Sequence, residues 1–60
     1  MQTNVDINNP IALYRSDNQW AAWLDIKHKG EKRSVVRFDP NPLQAVNELI
    51  LAVEAYESAN

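Results

Sequence analysis

Alternation of apolar and polar positions predicts three β-strands before residue 40. Over residues 20–27 every second side chain is apolar, beginning with Trp20, and this period of two is typical of a strand buried on one side. Residues 11–15 and 33–39 alternate in the same way and are bounded by turn-forming residues. One face of the second strand carries four apolar residues: Trp20, Ala22, Leu24 and Ile26.

Two polar turns are predicted between these strands. Residues 16–18 read Ser-Asp-Asn, whose short side chains hydrogen-bond to the nearby backbone. Gly30 lies within a hairpin turn over residues 28–31, where a left-handed backbone is needed. The register of the second hairpin is ambiguous by one residue. A register that places Leu24 near Val36 is favoured, because it keeps the large apolar residues of both strands inside the fold.

A change of spacing after the third strand predicts a helix from Pro42 to about Ser58. Asn41 suits the N-cap, and Pro42 at the first helical position loses no hydrogen bond that the helix needs. The predicted apolar stripe contains Leu43, Val46, Leu49, Ile50, Val53 and Tyr56, widened by Ala45 and Ala52.

The predicted fold class is α+β, a three-stranded antiparallel sheet with one C-terminal helix packed on one face (β-β-β-α). Residues 1–10 are predicted to be a flexible N-terminal arm, with a short strand as the alternative because Val5 and Ile7 alternate weakly, and residues 11–60 a single domain. A chain of 60 residues has a thin stability margin, and the absence of cysteine excludes disulfides. Association with a partner is therefore expected to supply part of the stability of the fold.

Composition narrows the class of function. The chain shows no nucleophile–histidine–acid arrangement, no glycine-rich phosphate loop and no cluster of metal ligands, so we expect no enzyme, cofactor or metal. No apolar run approaches the ~20 residues that a membrane span requires, so no membrane contact is expected. The lack of cysteine fits a reducing compartment, which favours a cytoplasmic location.

One helix leaves the second side of a sheet uncovered, and this side is the main predicted contact surface. It is expected to carry Tyr14, Trp23 and Val35 beside Asp25, Lys27 and Arg37. Solvent-facing aromatic rings on a sheet are typical of a binding surface. A protein partner, including a second copy of this chain, is favoured, and single-stranded nucleic acid stacking on the rings is the alternative. Scattered surface residues or an inverted face assignment would also fit the pattern.

Charge is unevenly distributed along the chain. Residues 27–37 carry five basic residues and one acid, whereas residues 38–60 carry four acids and no base. The basic hairpin supplies the predicted electrostatic residues Lys27, Lys29, Lys32 and Arg33, which would dock an acidic protein patch or phosphates, or would simply be solvated. Leu51, on the polar side of the helix, is a further candidate contact.

Two segments give a resemblance to a known family. Trp20-Ala21-Ala22-Trp23 on a strand and Asn41-Pro42-Leu43-Gln44-Ala45-Val46 opening a helix resemble the partial-barrel domain of HicB-like antitoxins. In that family the helix opens with a Thr-x-x-Glu-Ala-hydrophobic pattern, to which Asn41, Gln44 and Ala45 correspond. The family's Pro-x-x-x-Gly stretch and its DNA-binding tail have no counterpart here. The resemblance implies toxin neutralisation rather than repressor activity.

These observations predict a small, non-enzymatic protein-binding module. Its expected role is regulatory or inhibitory, as an antitoxin-like or phage-encoded protein that occludes a macromolecular partner and forms a homodimer. The predicted partner-binding residues are Tyr14, Trp23, Val35, Arg37 and Leu51. A nucleic-acid-binding module that uses the same aromatic and basic face is the second hypothesis.

Overall fold

A computed structural model describes residues 5–58 as an antiparallel sheet with a helix packed on one side. The elements are β1 (Val5–Asp6), β2 (Ala12–Ser16), β3 (Gln19–His28), β4 (Glu31–Asp39) and α1 (Pro42–Ser58). The predicted α+β class is confirmed, with four strands in place of three among the described residues. We call the side of the sheet under α1 the inner face and the opposite side the outer face.

β3 is the central strand. Along one edge of β3, its residues 20–28 pair with β4. β1 and β2 both pair with the other edge of β3, where they lie end to end. β1 begins within the predicted arm, and its Val5 is only 4% exposed, so the sheet starts earlier than the predicted strand at residue 11. Residues 1–4 lie outside the described residues.

Both predicted turns are present, and each contains left-handed backbone. Asp17 has a φ of 54° in the first turn. In the second turn Lys29 and Gly30 have φ values of 54° and 83°, the combination that a two-residue hairpin turn with matching twist requires. His28 therefore pairs with Glu31, and this pairing determines the register of the whole β3–β4 hairpin.

The register is one residue away from the prediction. Leu24 lies opposite Val35 rather than near Val36. Because directly opposite residues project to the same side of a sheet, Val35 joins Leu24 on the inner face and is 4% exposed. Val36 and Phe38 project to the outer face instead. The predicted placement of Val35 on the open face is therefore wrong.

The N-terminus of α1 is formed as predicted. The Asn41 side-chain oxygen accepts hydrogen bonds from the backbone N–H groups of Leu43 at 2.9 Å and Gln44 at 3.3 Å. Asp39 holds the cap in place by accepting from the Asn41 backbone N–H at 2.9 Å. These bonds satisfy N–H groups that have no partner within the helix, and they position α1 directly after β4.

The core lies between α1 and the inner face. Ala45, Leu49 and Val53, four residues apart, are the buried helix positions, and Leu49 is fully buried. They pack against buried strand residues that include Val5, Leu24, Ile26 and Val35. Other members of the predicted stripe, Val46, Ala52 and Tyr56, are partly buried and pack against this core. Two large members do not pack on it. Leu43 is 78% exposed and Ile50 44% exposed, because the helix presents its i, i+4 row and leaves these positions at the flanks.

The helix does not cover the inner face evenly. It packs on β3 and β4 and touches β1, and its packing does not extend across β2. Leu13, which projects from β2 to the inner face, accordingly remains 43% exposed. The sheet thus has an uncovered outer face and an uncovered strip of its inner face.

Candidate protein-interaction face

The outer face is built from rows of residues that lie side by side across the strands. Beside the β2–β3 turn it begins with the polar pair Ser16 and Gln19. The next row is Tyr14, Ala21 and Phe38, and the row after that is Ala12, Trp23 and Val36. The next two rows are Asp25 with Ser34, and Asp6 with Lys27 and Lys32. Successive rows are about 7 Å apart, which is two residues of strand. The face is therefore apolar in the two rows that follow the polar Ser16–Gln19 pair, and charged at the end near the basic hairpin.

The aromatic patch comprises Tyr14, Trp23, Val36 and Phe38. Tyr14 is 45% exposed, Trp23 42% and Phe38 47%. Ala21 projects to this same face and is nevertheless fully buried. It is not part of the core under the helix, so its burial is due to the rings of its cross-strand neighbours. The rings already pack over the sheet, while roughly half of each side chain stays open to contact.

Polar side chains order the middle of the outer face. The Ser34 hydroxyl donates a hydrogen bond of 2.7 Å to a carboxylate oxygen of Asp25. In the last row Lys27 stands between Asp6 on β1 and Lys32 on β4. Lys27 thus faces a carboxylate on one side and a like charge on the other, and like charges that face each other directly are destabilising.

Of the predicted contact residues, the structure brings Tyr14 and Trp23 together and separates the others. Val35 is buried beneath α1, and Arg37 projects to the inner face. Sequence reasoning missed Val36 and Phe38, which belong to the patch. The signal that identifies them was available, because a two-residue turn at Lys29 and Gly30 pairs 28 with 31 and so assigns even-numbered β4 residues to the outer face.

The inward-projecting arginines of β4 remain exposed because β4 is an edge strand. Arg33 and Arg37 stand opposite Ile26 and Ala22. Arg37 donates a hydrogen bond of 2.6 Å to the Val36 carbonyl oxygen beside it. Inward-pointing charges of this kind protect a sheet edge from pairing with other strands. Arg37 is thus placed for edge protection rather than within the aromatic patch.

The basic hairpin is divided between the two faces. Lys27 and Lys32 project to the outer face, Lys29 lies in the turn, and Arg33 projects inward beside Glu31 at 3.5 Å. Only the first two can act together with the aromatic patch. Leu51 is 57% exposed on α1, and the sheet separates it from the outer face, so it belongs to a different surface.

Two titratable groups have environments that the sequence did not reveal. His28 is not a solvated turn residue: its ring lies 5.1 Å from that of Tyr56, and its buried Nε2 has no hydrogen-bond partner among the described residues. The Asp39 carboxyl, through a side-chain hydrogen bond and its charge, raises the pKa of Glu48, an effect that Arg37 partly offsets. Within residues 5–58 no group of three or more potential metal ligands is found.

Comparison with protein families, with curated proteins and with solved structures gives no match. Among the described residues, α1 does not have the length and apolar character that a membrane crossing needs. What the outer face can bind follows from its own geometry. This face offers a contiguous apolar area with both acidic and basic side chains, Asp6, Asp25, Lys27 and Lys32, towards the hairpin end.

Proposed function

We propose that this chain is a small, non-enzymatic protein-binding module that uses the aromatic patch as its contact surface. The observation that supports the proposal is the aromatic patch itself, with three aromatic side chains each more than two-fifths exposed on a face that no other described element covers. Aromatic residues are the most frequent energetic anchors of protein interfaces. The module is regulatory or inhibitory and acts by occluding its partner, as the HicB-like resemblance implies. The absence of cysteine favours a cytoplasmic location.

The pattern of the face fits a protein partner best. An apolar centre with charges on one side matches the usual composition of an interface, where aromatic residues fill the core and polar residues form the rim. Lys27, Lys32 and Asp6 give that rim charges of both signs. Such a face is also able to meet a second copy of itself about a two-fold axis, because acids and bases are both available for cross-contacts.

Site-specific photocrosslinking tests the proposal. A benzophenone amino acid placed at Trp23 should give covalent adducts with the partner on irradiation in the cells that produce the protein. The same group at Leu43, which is 78% exposed on α1, is the matched control and should give none. An adduct of twice the chain mass identifies a homodimer, and an adduct of another mass identifies a different protein.

Solution mass measurements complete the test. If a second copy is the partner, dilution should dissociate it, and Trp23→Ala with Phe38→Ala should weaken association at least about tenfold, as expected for two interface anchors. Leu43→Ala should leave it unchanged. Adducts that are equally abundant from positions 23 and 43 contradict a defined contact at the outer face.

A second candidate function is single-stranded nucleic acid binding. The observation that favours it is the alignment of Lys27 and Lys32 on the same face as Trp23, about 14 Å along the strand. Bases would stack on the rings while the lysines contact phosphates. An oligonucleotide should then bind at low salt and lose affinity steeply as salt rises. Lack of binding at low salt excludes this candidate and leaves the protein-binding proposal intact.

A further inference from the structure

A second exposed apolar surface lies on the inner side of the sheet. It is a groove of about 200 Å³ between α1 and the connection from β1 to β2. Its floor consists of buried core residues, Leu24, Leu49 and Val53. Its walls are more exposed: Ile7 is 52% exposed, Ile11 40% and Ile50 44%.

The groove follows from the way the helix is placed. α1 packs on β3 and β4, so the space beside it, above the β1–β2 edge, is not filled by another described element. Leu13 of β2, 43% exposed on the inner face, lies along the same uncovered strip. An apolar side chain that enters the groove would contact the core directly and bury the three isoleucines at its walls.

The negative charge beside the groove determines which kind of partner segment can bind in it. Glu54 and Glu57 line the groove together with the apolar residues. The last turn of α1 contains no basic residue, and the negative end of the helix dipole adds to the negative potential there. Residues 38–60 contain no lysine or arginine. A cationic group beside the groove is therefore attracted, and an anionic one is repelled.

We propose that this groove binds a short amphipathic segment of a protein partner, which inserts a large apolar side chain and places lysine or arginine beside Glu54. The inference is independent of the function proposed for the outer face. A second copy of this chain does not fit as the occupant. Its basic groups are concentrated in the hairpin, whose tip, residues 29–33, has no large apolar side chain to insert.

Fluorescence anisotropy with a labelled model peptide tests the inference. The probe is a twelve-residue peptide of leucine and lysine, and its matched control has glutamate in place of each lysine. The lysine peptide should bind saturably, and the glutamate peptide at least about tenfold more weakly, because like charges across an interface oppose binding. Added salt should reduce the difference.

Two neighbouring helix residues give a matched pair of variants. Ile50→Ser should weaken binding of the lysine peptide at least about fivefold, while Leu51→Ser should not, since Leu51 is 57% exposed but does not line the groove. Glu54→Lys should weaken the lysine peptide and strengthen the glutamate peptide. All three positions are exposed, so circular dichroism should show that each variant keeps its fold.

Several results would overturn the inference. The first is a lysine peptide that shows no saturable binding at concentrations up to about 1 mM, the weak end of measurable affinity. The second is equal binding of the lysine and glutamate peptides. The third is an equal loss of affinity in Ile50→Ser and Leu51→Ser. Loss of peptide binding in Trp23→Ala would place the peptide on the outer face instead. Self-association that Ile50→Ser abolishes would assign the groove to a second copy.

Discussion

Both faces of the sheet carry large apolar side chains, and the faces differ in what covers them. On the inner face, Leu24, Ile26 and Val35 are each less than 5% exposed, because α1 lies over them. On the outer face, Trp23 and Phe38 are each more than 40% exposed, although both project from the same two strands. The difference indicates that the inner apolar residues stabilise the fold and that the outer ones are available for binding.

The strongest test of this comparison replaces one large apolar residue on each side. Leu49→Ala, at a fully buried position, should lower the free energy of unfolding by about 2–5 kcal/mol. A chain of this length has roughly 3–9 kcal/mol in total, so much of the fold is then lost. Trp23→Ala should cost less, about 1–2 kcal/mol, because the side chain is partly buried against the sheet and 42% exposed. Urea denaturation followed by circular dichroism measures both, and Leu51→Ala is the exposed leucine control.

Equal destabilisation by Leu49→Ala and Trp23→Ala would contradict the division between the two faces. It would mean that the aromatic patch stabilises the isolated fold as strongly as the core does.

The turn that assigns β4 residues to their faces is the next target. Gly30 has a φ of 83°, and a Cβ added there would meet nothing within 4 Å. The cost of Gly30→Ala therefore comes from the backbone alone and should be about 1–2 kcal/mol. Thermal unfolding measures it. A neutral or stabilising effect would show that the turn does not hold the register as described.

The charged end of the outer face gives a smaller effect of opposite sign. Lys32→Glu converts the facing Lys27–Lys32 pair into an attractive one and should stabilise the fold by about 0.2–1 kcal/mol. The gain should shrink as salt is added, because the pair is exposed. Lys29→Glu, in the turn rather than across from Lys27, is the control. A gain that salt leaves unchanged would argue against a charge effect.

The smallest expected effect concerns pH. Asp39 raises the pKa of Glu48 above its ordinary value of 4.5, so the folded state binds that proton more tightly than the unfolded state does. The ionised pair consequently lowers stability above the raised pKa, and this penalty disappears as the pH falls through the raised pKa toward 4.5. Glu48→Gln should raise the Tm slightly at neutral pH and have no effect in acid.

Thermal unfolding of both proteins across this range checks the sign. A Tm difference that is the same at about pH 3 and about pH 7 would contradict the pairing of the two carboxyl groups.

Local patterns predicted much of the fold. The period of two in β3 identified its inner face, and the Asn41–Pro42 pair located the start of α1, because strand alternation and helix capping depend on neighbouring residues alone. The register of β4 was predicted one residue out of place, since apolar residues occur on both of its faces at Val35 and Val36. Turn geometry separates these alternatives and hydrophobicity does not.

The candidate sites were less predictable than the fold. Trp23 and Tyr14 were assigned to the open face correctly because the strands that carry them, β3 and β2, alternate clearly. Phe38 was missed because its face depends on the β4 register. The groove was not predicted, since its walls come from Ile7, Ile11 and Ile50, which are distant in sequence and are brought together by the placement of α1.

By itself, the sequence determined the types and order of the elements after residue 10, the helix cap and the turn residues, because these depend on backbone preferences within a few residues. Only the tertiary structure decided which valine of β4 is buried, how far α1 extends across the sheet, and which apolar side chains remain exposed. Those outcomes depend on how the helix and four strands pack together, and a short chain has too little helix to cover every apolar surface that its strands present.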